Sequence, residues 1–263
     1  MSDSDRLGSV LFVGAHPDDE TVMAGGTLAL LHARGVATHV LCATDGRGGE
    51  SGGVPEAATP ESRARVREAE LCCAVEALGV TSLTLLGYLD PVIGPGEELY
   101  AFEADQEALV GQIAVQIYRT GASVVLTHGS NGEYGHPAHV QVHRAVLRAV
   151  RERAPDVPVY TVAARVPDTE DRLWNTDDPA DLVLDIAPWF EAKHAAMLCH
   201  RTQHELFRRR RKLDTVREAV RMLESFHRCW PMMSGSLLPD DPFAALLLEA
   251  GAGRPRAARK QVK

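Results

Sequence analysis

Aromatic residues are scarce in this chain of 263 residues: Phe, Trp and Tyr together make up 5%. That is too few for the stacked platforms on which proteins hold unpaired bases. Positive charge is also short, with 28 Lys and Arg against 36 Asp and Glu and a net charge of −8. A duplex DNA or an anionic membrane therefore makes a poor partner. No apolar run approaches the ~18–20 residues needed to span a bilayer. The opening stretch, MSDSDRLGSV, lacks the basic-then-apolar pattern of a secretory signal. The five cysteines (Cys42, Cys72, Cys73, Cys199 and Cys229) are odd in number and form no CxxC. Free thiols in a reducing cytoplasm fit them better than disulfides or a thiolate zinc site. These absences predict a cytoplasmic protein with no nucleic-acid partner and no membrane span.

What is present is globular. Hydrophobic residues make up 45% and charged residues 24%, and the length suits one large α/β domain or two small ones. The apolar pattern alternates between periods. Strands are predicted at Ser9–Gly14, Val36–Ala43, Ser82–Leu86, Ala122–Thr127 and Val157–Val162, with helices between them at Glu20–Arg34, Thr59–Gly79, Asp105–Thr120 and His136–Arg153. Thr59 as N-cap, Pro60 at the first helical position and Glu61 in the first turn mark the second helix start. Strands alternating with helices imply a Rossmann-like α/β fold: a mainly parallel sheet flanked by helices. After Pro167 the alternation weakens. Asp181–Ile186 reads as a strand, and Pro188–His200 and Glu205–Phe226 as a helical C-terminal extension.

Two stretches fall where strands end. VGAHPDDE (Val13 to Glu20) follows the first strand, and HGSNGEYGHPAH (His128 to His139) follows the fourth. In parallel sheets ligands collect at that edge. His16 and Asp19 are three positions apart, as are His136 and His139. Adjacent carboxylates repel and resist desolvation, so something must compensate Asp18, Asp19 and Glu20. A divalent cation does so. Three His or carboxylate ligands with a fourth position left to water describe a catalytic zinc site. Asp18 and Asp19 cannot easily point the same way, so one acid on the metal and one as general base is a natural division. His136 and His139 can divide likewise into a polar stabiliser and a ligand.

AHPDDE followed much later by GEYGHPAH resembles the LmbE-like (PIG-L) family of zinc-dependent N-deacetylases, which remove acyl groups from N-acetylglucosamine units. Supporting likenesses are Thr44-Asp45-Gly46 with its glycines, Arg67 with Glu70-Leu71 and Leu78-Gly79, and KHAAMLCHRTQ (Lys193 to Gln203). The resemblance implies that His16, Asp19 and His139 bind zinc, with Fe2+ as an alternative metal in the cell. It implies that Asp18 is the general base, that His136 stabilises the reacting centre, that Tyr134 helps polarise the acyl oxygen, and that Arg67 contacts substrate. One deacetylase domain is expected over residues 1–250; the tail at 251–263, with five positive charges and no acid, is expected to be a solvated, disordered end rather than an electrostatic tether. The expected partner is a small-molecule N-acylated amino-sugar conjugate, and whether the chain forms a homo-oligomer is left open. One departure stands out. Many members read HPDH where this chain has His136-Pro137-Ala138-His139, which leaves the protonation state of His136 open.

Other readings compete. A hydrolase of another amide or of a phosphoester could use the same scaffold, and a metal-dependent binding protein would have no need of Asp18. His143 and His128 are expected to pack or hydrogen-bond, and His200 divides evenly between a site partner and a structural one. The loop DGRGGESGG lacks the GK[ST] ending of a phosphate loop. The run Arg208 to Lys212 is expected to be a solvated face or to pair with acids.

Overall fold

The computed structural model describes residues 7–169, 173–209, 212–232 and 241–254. Strands in chain order are β1 (Ser9–Gly14), β2 (Ala37–Thr44), β3 (Ser82–Tyr88), β4 (Ala122–Thr127), β5 (Val159–Val162), β6 (Ala164–Arg165), β7 (Asn175–Pro179), β8 (Leu182–Asp185) and β9 (Leu223–Trp230). Helices are α1 (Asp19–Ala33), α2 (Pro60–Ala77), α3 (Gln106–Thr120), the turn α4 (Gly132–Gly135), α5 (Pro137–Arg153), α6 (Phe190–Cys199), α7 (His204–Arg209), α8 (Val216–Ala219) and α9 (Pro242–Glu249).

Among the described residues, seven strands form one sheet in the order β3-β2-β1-β4-β5-β9-β8. β1 to β5 run parallel, and β9 is antiparallel to both its neighbours. The central strands are apolar on both faces, as a sheet covered on both sides requires. Val10, Phe12, Val40 and Leu126 point into one core, with α1, α2 and α6 residues. Leu11, Val13, Leu41 and Val125 point into the other, with α3 and α5 residues. From β1 the chain winds outward to β2 and β3, then returns to place β4 on the other side of β1. The strand order reverses between β1 and β4, so the loops at their carboxyl ends splay apart and leave a crevice. Both histidine motifs leave the sheet at that point.

The alternating first half matches its expected pattern closely. β1 and β4 have the expected bounds, and Thr59 caps α2 in a reciprocal capping box with Ser62. The second half departs in three places. Glu205–Phe226 is not one helix. Its Arg-, Glu- and Leu-rich run favours a helix locally, yet Thr215 caps only the single turn α8, and Leu223–Trp230 pairs as β9 between β5 and β8. Long-range pairing overrides propensity here. The short strand β7 had no clear sequence signal; it pairs with β6. Cysteines are not all free: Cys73 on α2 and Cys199 at the end of α6 form a disulfide across 126 residues, with Cα atoms 5.7 Å apart. Cys42, Cys72 and Cys229 are free. Spacing alone does not reveal such a pair; helix packing does.

Among the described residues no helix is long and apolar enough to cross a membrane. Gly253 bridges to Val183 in β8, so the chain stays with the sheet past residue 250. Residues 255–263 of the expected basic tail lie outside the described residues, as do Arg210 and Arg211 of the basic run. Of the rest of that run, Arg209 pairs with Glu50 at 2.5 Å.

Candidate active site

The first motif is held by its own backbone. α1 begins at Asp19, and Asp18 before it takes φ 112°, outside the ordinary L-residue range. Asp19 turns inward: its Oδ2 accepts the Ala15 and His16 N–H groups at 3.0 and 2.8 Å. Asp18 turns the other way, to Arg67 Nη2 at 3.1 Å. The two adjacent acids thus point apart, as their crowding requires.

Arg67 is 2% exposed. Its guanidinium also donates to the carbonyls of Gly46 (3.0 Å) and Pro17. The Gly-rich loop makes room for it: a Cβ on Gly49 would come within 2.5 Å of Arg67 Nη1, and one on Gly46 within 2.8 Å. The loop therefore cradles a guanidinium rather than a phosphate. Arg67, expected to contact substrate, lines the cleft and holds the Gly46 and Pro17 carbonyls and the Asp18 carboxylate.

The second motif arrives on α4 and α5. His136 caps α5, its Nδ1 accepting the Ala138 N–H at 3.2 Å. Its Nε2 is then the protonated nitrogen. His139, one turn on, donates Nδ1–H to Glu133 Oε2 at 2.5 Å, which leaves its Nε2 as a lone pair. That Nε2 lies 3.1 Å from His16 Nδ1 and 3.5 Å from Asp19 Oδ1. Ligating atoms of His16, His136 and His139 fall within 4.8 Å of one another, as do those of Asp19, His128 and His139. Tyr134 stands edge-on to His136 and His139, 5.7 Å from each, and is 37% exposed. The structure thus brings His16, Asp18, Asp19, Arg67, Tyr134, His136 and His139 to one cleft of about 100 Å³.

The cleft draws positive charge. Burial alone would lower the pKa of His16, but Asp90 and Asp19 outweigh it and raise the imidazole to about 10. His128 reaches about 9, where Glu133 and Asp19 overcome burial. Burial lifts Asp18 to about 6 against the pull of Arg67. His136 goes the other way: burial, then the neighbouring His139 and His16, push it far below its ordinary value. His136 is thus a neutral imidazole with an Nε2–H to donate, and the alanine at 138, which supplies no negative charge, is consistent with that. Two ring nitrogens facing each other at 3.1 Å, a carboxylate oxygen beside them and an excess of acid form a donor set that a divalent cation satisfies.

Several residues at the site carried no distinct signal in the sequence. Asp90, after β3, faces His16 Nε2 at 3.3 Å without hydrogen-bond alignment. Its position at a strand's carboxyl end was the available hint. Glu133 lay inside a motif read for its tyrosine and histidines. His128, expected to pack or hydrogen-bond, is fully buried and lies 3.1 Å from Asp19 Oδ2. His143 does hydrogen-bond structurally, to the His128 carbonyl at 2.9 Å. His200 reaches Glu20 Oε1 at 3.2 Å, while the other oxygen of Glu20 accepts the Asp18 N–H. A larger cavity of about 650 Å³ lies beside the Cys73–Cys199 disulfide, lined by Val66, Ala69 and Leu198 among others. It has no convergent histidines, so size does not mark the site.

Known proteins resemble this chain in sequence and in fold. The model of the family described as GlcNAc-PI de-N-acetylase (PIG-L) matches residues 11–150. The chain is 33% identical, over 238 aligned positions, to a 1D-myo-inositol 2-acetamido-2-deoxy-alpha-D-glucopyranoside deacetylase of Mycobacterium sp. (strain KMS), covering 76% of this chain and 75% of that one. The protein of that name in Mycolicibacterium smegmatis is 32% identical over 232 positions, covering 74% and 79%. Among solved structures, the N,N'-diacetylchitobiose deacetylase of Pyrococcus horikoshii superposes with a TM-score of 0.59 at 19% identity, covering 84% of this chain and 83% of that one. GalB, the 4-carboxy-2-hydroxymuconate hydratase of Pseudomonas putida, gives 0.60 at 23%, covering 88% and 100%. At those identities the likeness is one of fold. A hydratase and a deacetylase share it, so the reaction must be argued from side chains.

Proposed function

The chain belongs to the GlcNAc-PI de-N-acetylase family, and on that premise we propose that it is a zinc-dependent hydrolase that removes the acetyl group from the amide of an N-acylglucosamine-type conjugate. The observation that carries this reading is the convergence of His16 Nδ1, His139 Nε2 and Asp19 Oδ1, with a second carboxylate, Asp18, held apart from them by Arg67. A pure binding site has no use for that second acid.

His16, Asp19 and His139 would hold the metal, and the N/O donor set suits zinc, with Fe2+ as the alternative. A cation bound there acidifies water and polarises an acyl oxygen. Asp18 takes the proton of the attacking water as its oxygen bonds to the amide carbon. As the C–N bond breaks, Asp18 returns that proton to the leaving amine. The acyl oxygen gains charge in between. The Nε2–H of neutral His136 and the hydroxyl of Tyr134 are the donors for it, and losing one such donor typically costs ~10²–10³ in rate. Arg67 keeps the Asp18 carboxylate aimed during both proton transfers.

The curated relatives are named for an inositol conjugate of the acetylated sugar. The substrate of this chain is accordingly a glucosamine-type sugar carrying a substituent, whose contacts orient the amide. The test is a steady-state comparison of free N-acetylglucosamine with glycosides bearing inositol, lipid or peptide groups. Acetate release that is faster from a glycoside than from the free sugar is expected. No acetate from any of them, or cleavage of a phosphoester instead, would sink the reading.

A further inference from the structure

Glu133 is driven into the site by a strained turn. Its backbone sits at φ 61°, ψ −77°, a region L-residues rarely adopt, and its side chain is buried. Both oxygens are used. Oε1 accepts the Gly129 N–H at 2.9 Å and Asn175 Nδ2–H at 3.0 Å. Oε2 faces His139 Nδ1 at 2.5 Å and His128 Nδ1 at 3.2 Å. Asn175, the first residue of β7, closes the clamp. Its Oδ1 accepts the Glu133 N–H at 2.9 Å, and its Nδ2 also donates to the Val162 carbonyl at 2.7 Å. Any side chain at Gly129 would collide with that amide.

His128 extends the contact. Its ring stacks on His139, with centroids 3.9 Å apart and planes 15° from parallel. Its Nε2 lies 3.1 Å from Asp19 Oδ2 and 3.0 Å from the Ala15 nitrogen. With Ala15 and His16 N–H also on Oδ2, that oxygen is committed to the protein. Oδ1 is the one turned toward His139 Nε2.

We propose that Glu133 and His128 are positioning residues of the metal centre. Glu133 fixes the tautomer in which His139 presents Nε2, and through His128 the same carboxylate sets the rotamer of Asp19. One buried acid thereby aims two ligands that come from opposite motifs. Asn175 is the brace that keeps that acid in place. This inference rests on the metal-centre reading above.

The experiment is a zinc titration of metal-stripped protein against a chelating indicator, with apo unfolding followed alongside. Glu133→Gln keeps the Oε1 acceptor for Gly129 and Asn175 but replaces Oε2 with an amide that cannot accept from His139. Zinc affinity is expected to fall 10–100-fold, the usual effect of losing such an outer partner, with the apo unfolding midpoint unchanged. A merely structural role would lower the midpoint and leave the affinity of the folded protein alone. Should Glu133→Gln fail to fold, His128→Gln decides, with a loss of the same order expected. Affinity within twofold of wild type in the folded variants overturns the inference and leaves the metal-centre reading standing. Wild type that binds no zinc overturns both.

Discussion

α1 touches two clusters of buried charge, and they differ in how completely they are closed. Beneath its middle, Glu224 Oε1 accepts the Gly26 N–H at 2.7 Å and Lys193 Nζ at 2.6 Å, and Oε2 accepts the Thr27 N–H at 2.7 Å and hydroxyl at 2.6 Å. Lys193 donates again to the Val22 carbonyl at 3.0 Å. One acid meets one base, and each is buried with its partners in place. At the N-terminus of α1 the sum does not close. Asp18, Asp19, Asp90 and Glu133 outnumber Arg67 and the imidazoles of His16 and His128 whose pKa they raise, His16 Nδ1 and His139 Nε2 face each other, and His16 Nε2 finds no aligned partner. Burial of charge is common to both, so burial does not mark function. An unbalanced donor set in a cleft does.

Three substitutions sharpen the contrast. The largest effect is expected at the open cluster. Asp18→Asn removes the base and leaves His16, Asp19 and His139 in place, so the rate of acetate release should fall by ~10²–10⁴ while zinc content holds. Metal analysis showing the variant purified empty would instead make Asp18 a ligand. Next comes the closed cluster. Lys193→Met strands the Glu224 carboxylate, and breaking a buried pair in this way costs ~3–5 kcal/mol. Denaturant unfolding should register that loss, with zinc stoichiometry of the folded protein unchanged; a stable variant that had lost its metal would merge the two clusters into one. The smallest change is expected for Arg67→Ala. Losing a charge-assisted contact to Asp18 should lower kcat/KM by ~1.5–3 kcal/mol, mainly through kcat. A loss confined to KM would restore Arg67 as a substrate anchor.

The open cluster was more legible in sequence than the closed one. His16, Asp18, Asp19, His136 and His139 stand at short spacings beside strand ends, and a parallel sheet carries such ends to one edge. Glu133 and His128 were in plain view, but nothing in the sequence tied them to His139 and Asp19, because their roles depend on backbone strain at position 133 and on Asn175, 42 residues away on β7. Lys193 and Glu224 were legible only in part. The lysine fell in a family-like segment, but Glu224 lay in a stretch whose local propensity is helical. Its place on β9 comes from pairing with β5 and β8. The Cys73–Cys199 disulfide was hidden for the same reason: α2 and α6 meet only in the folded chain.

The central claim is that the open cluster works through a bound cation. Chelator-stripped protein should release no acetate from an N-acetylglucosaminyl glycoside, regain release in proportion to added zinc, and unfold as a cooperative unit in both states. Acetate release that persists undiminished in protein shown to be free of metal would contradict it.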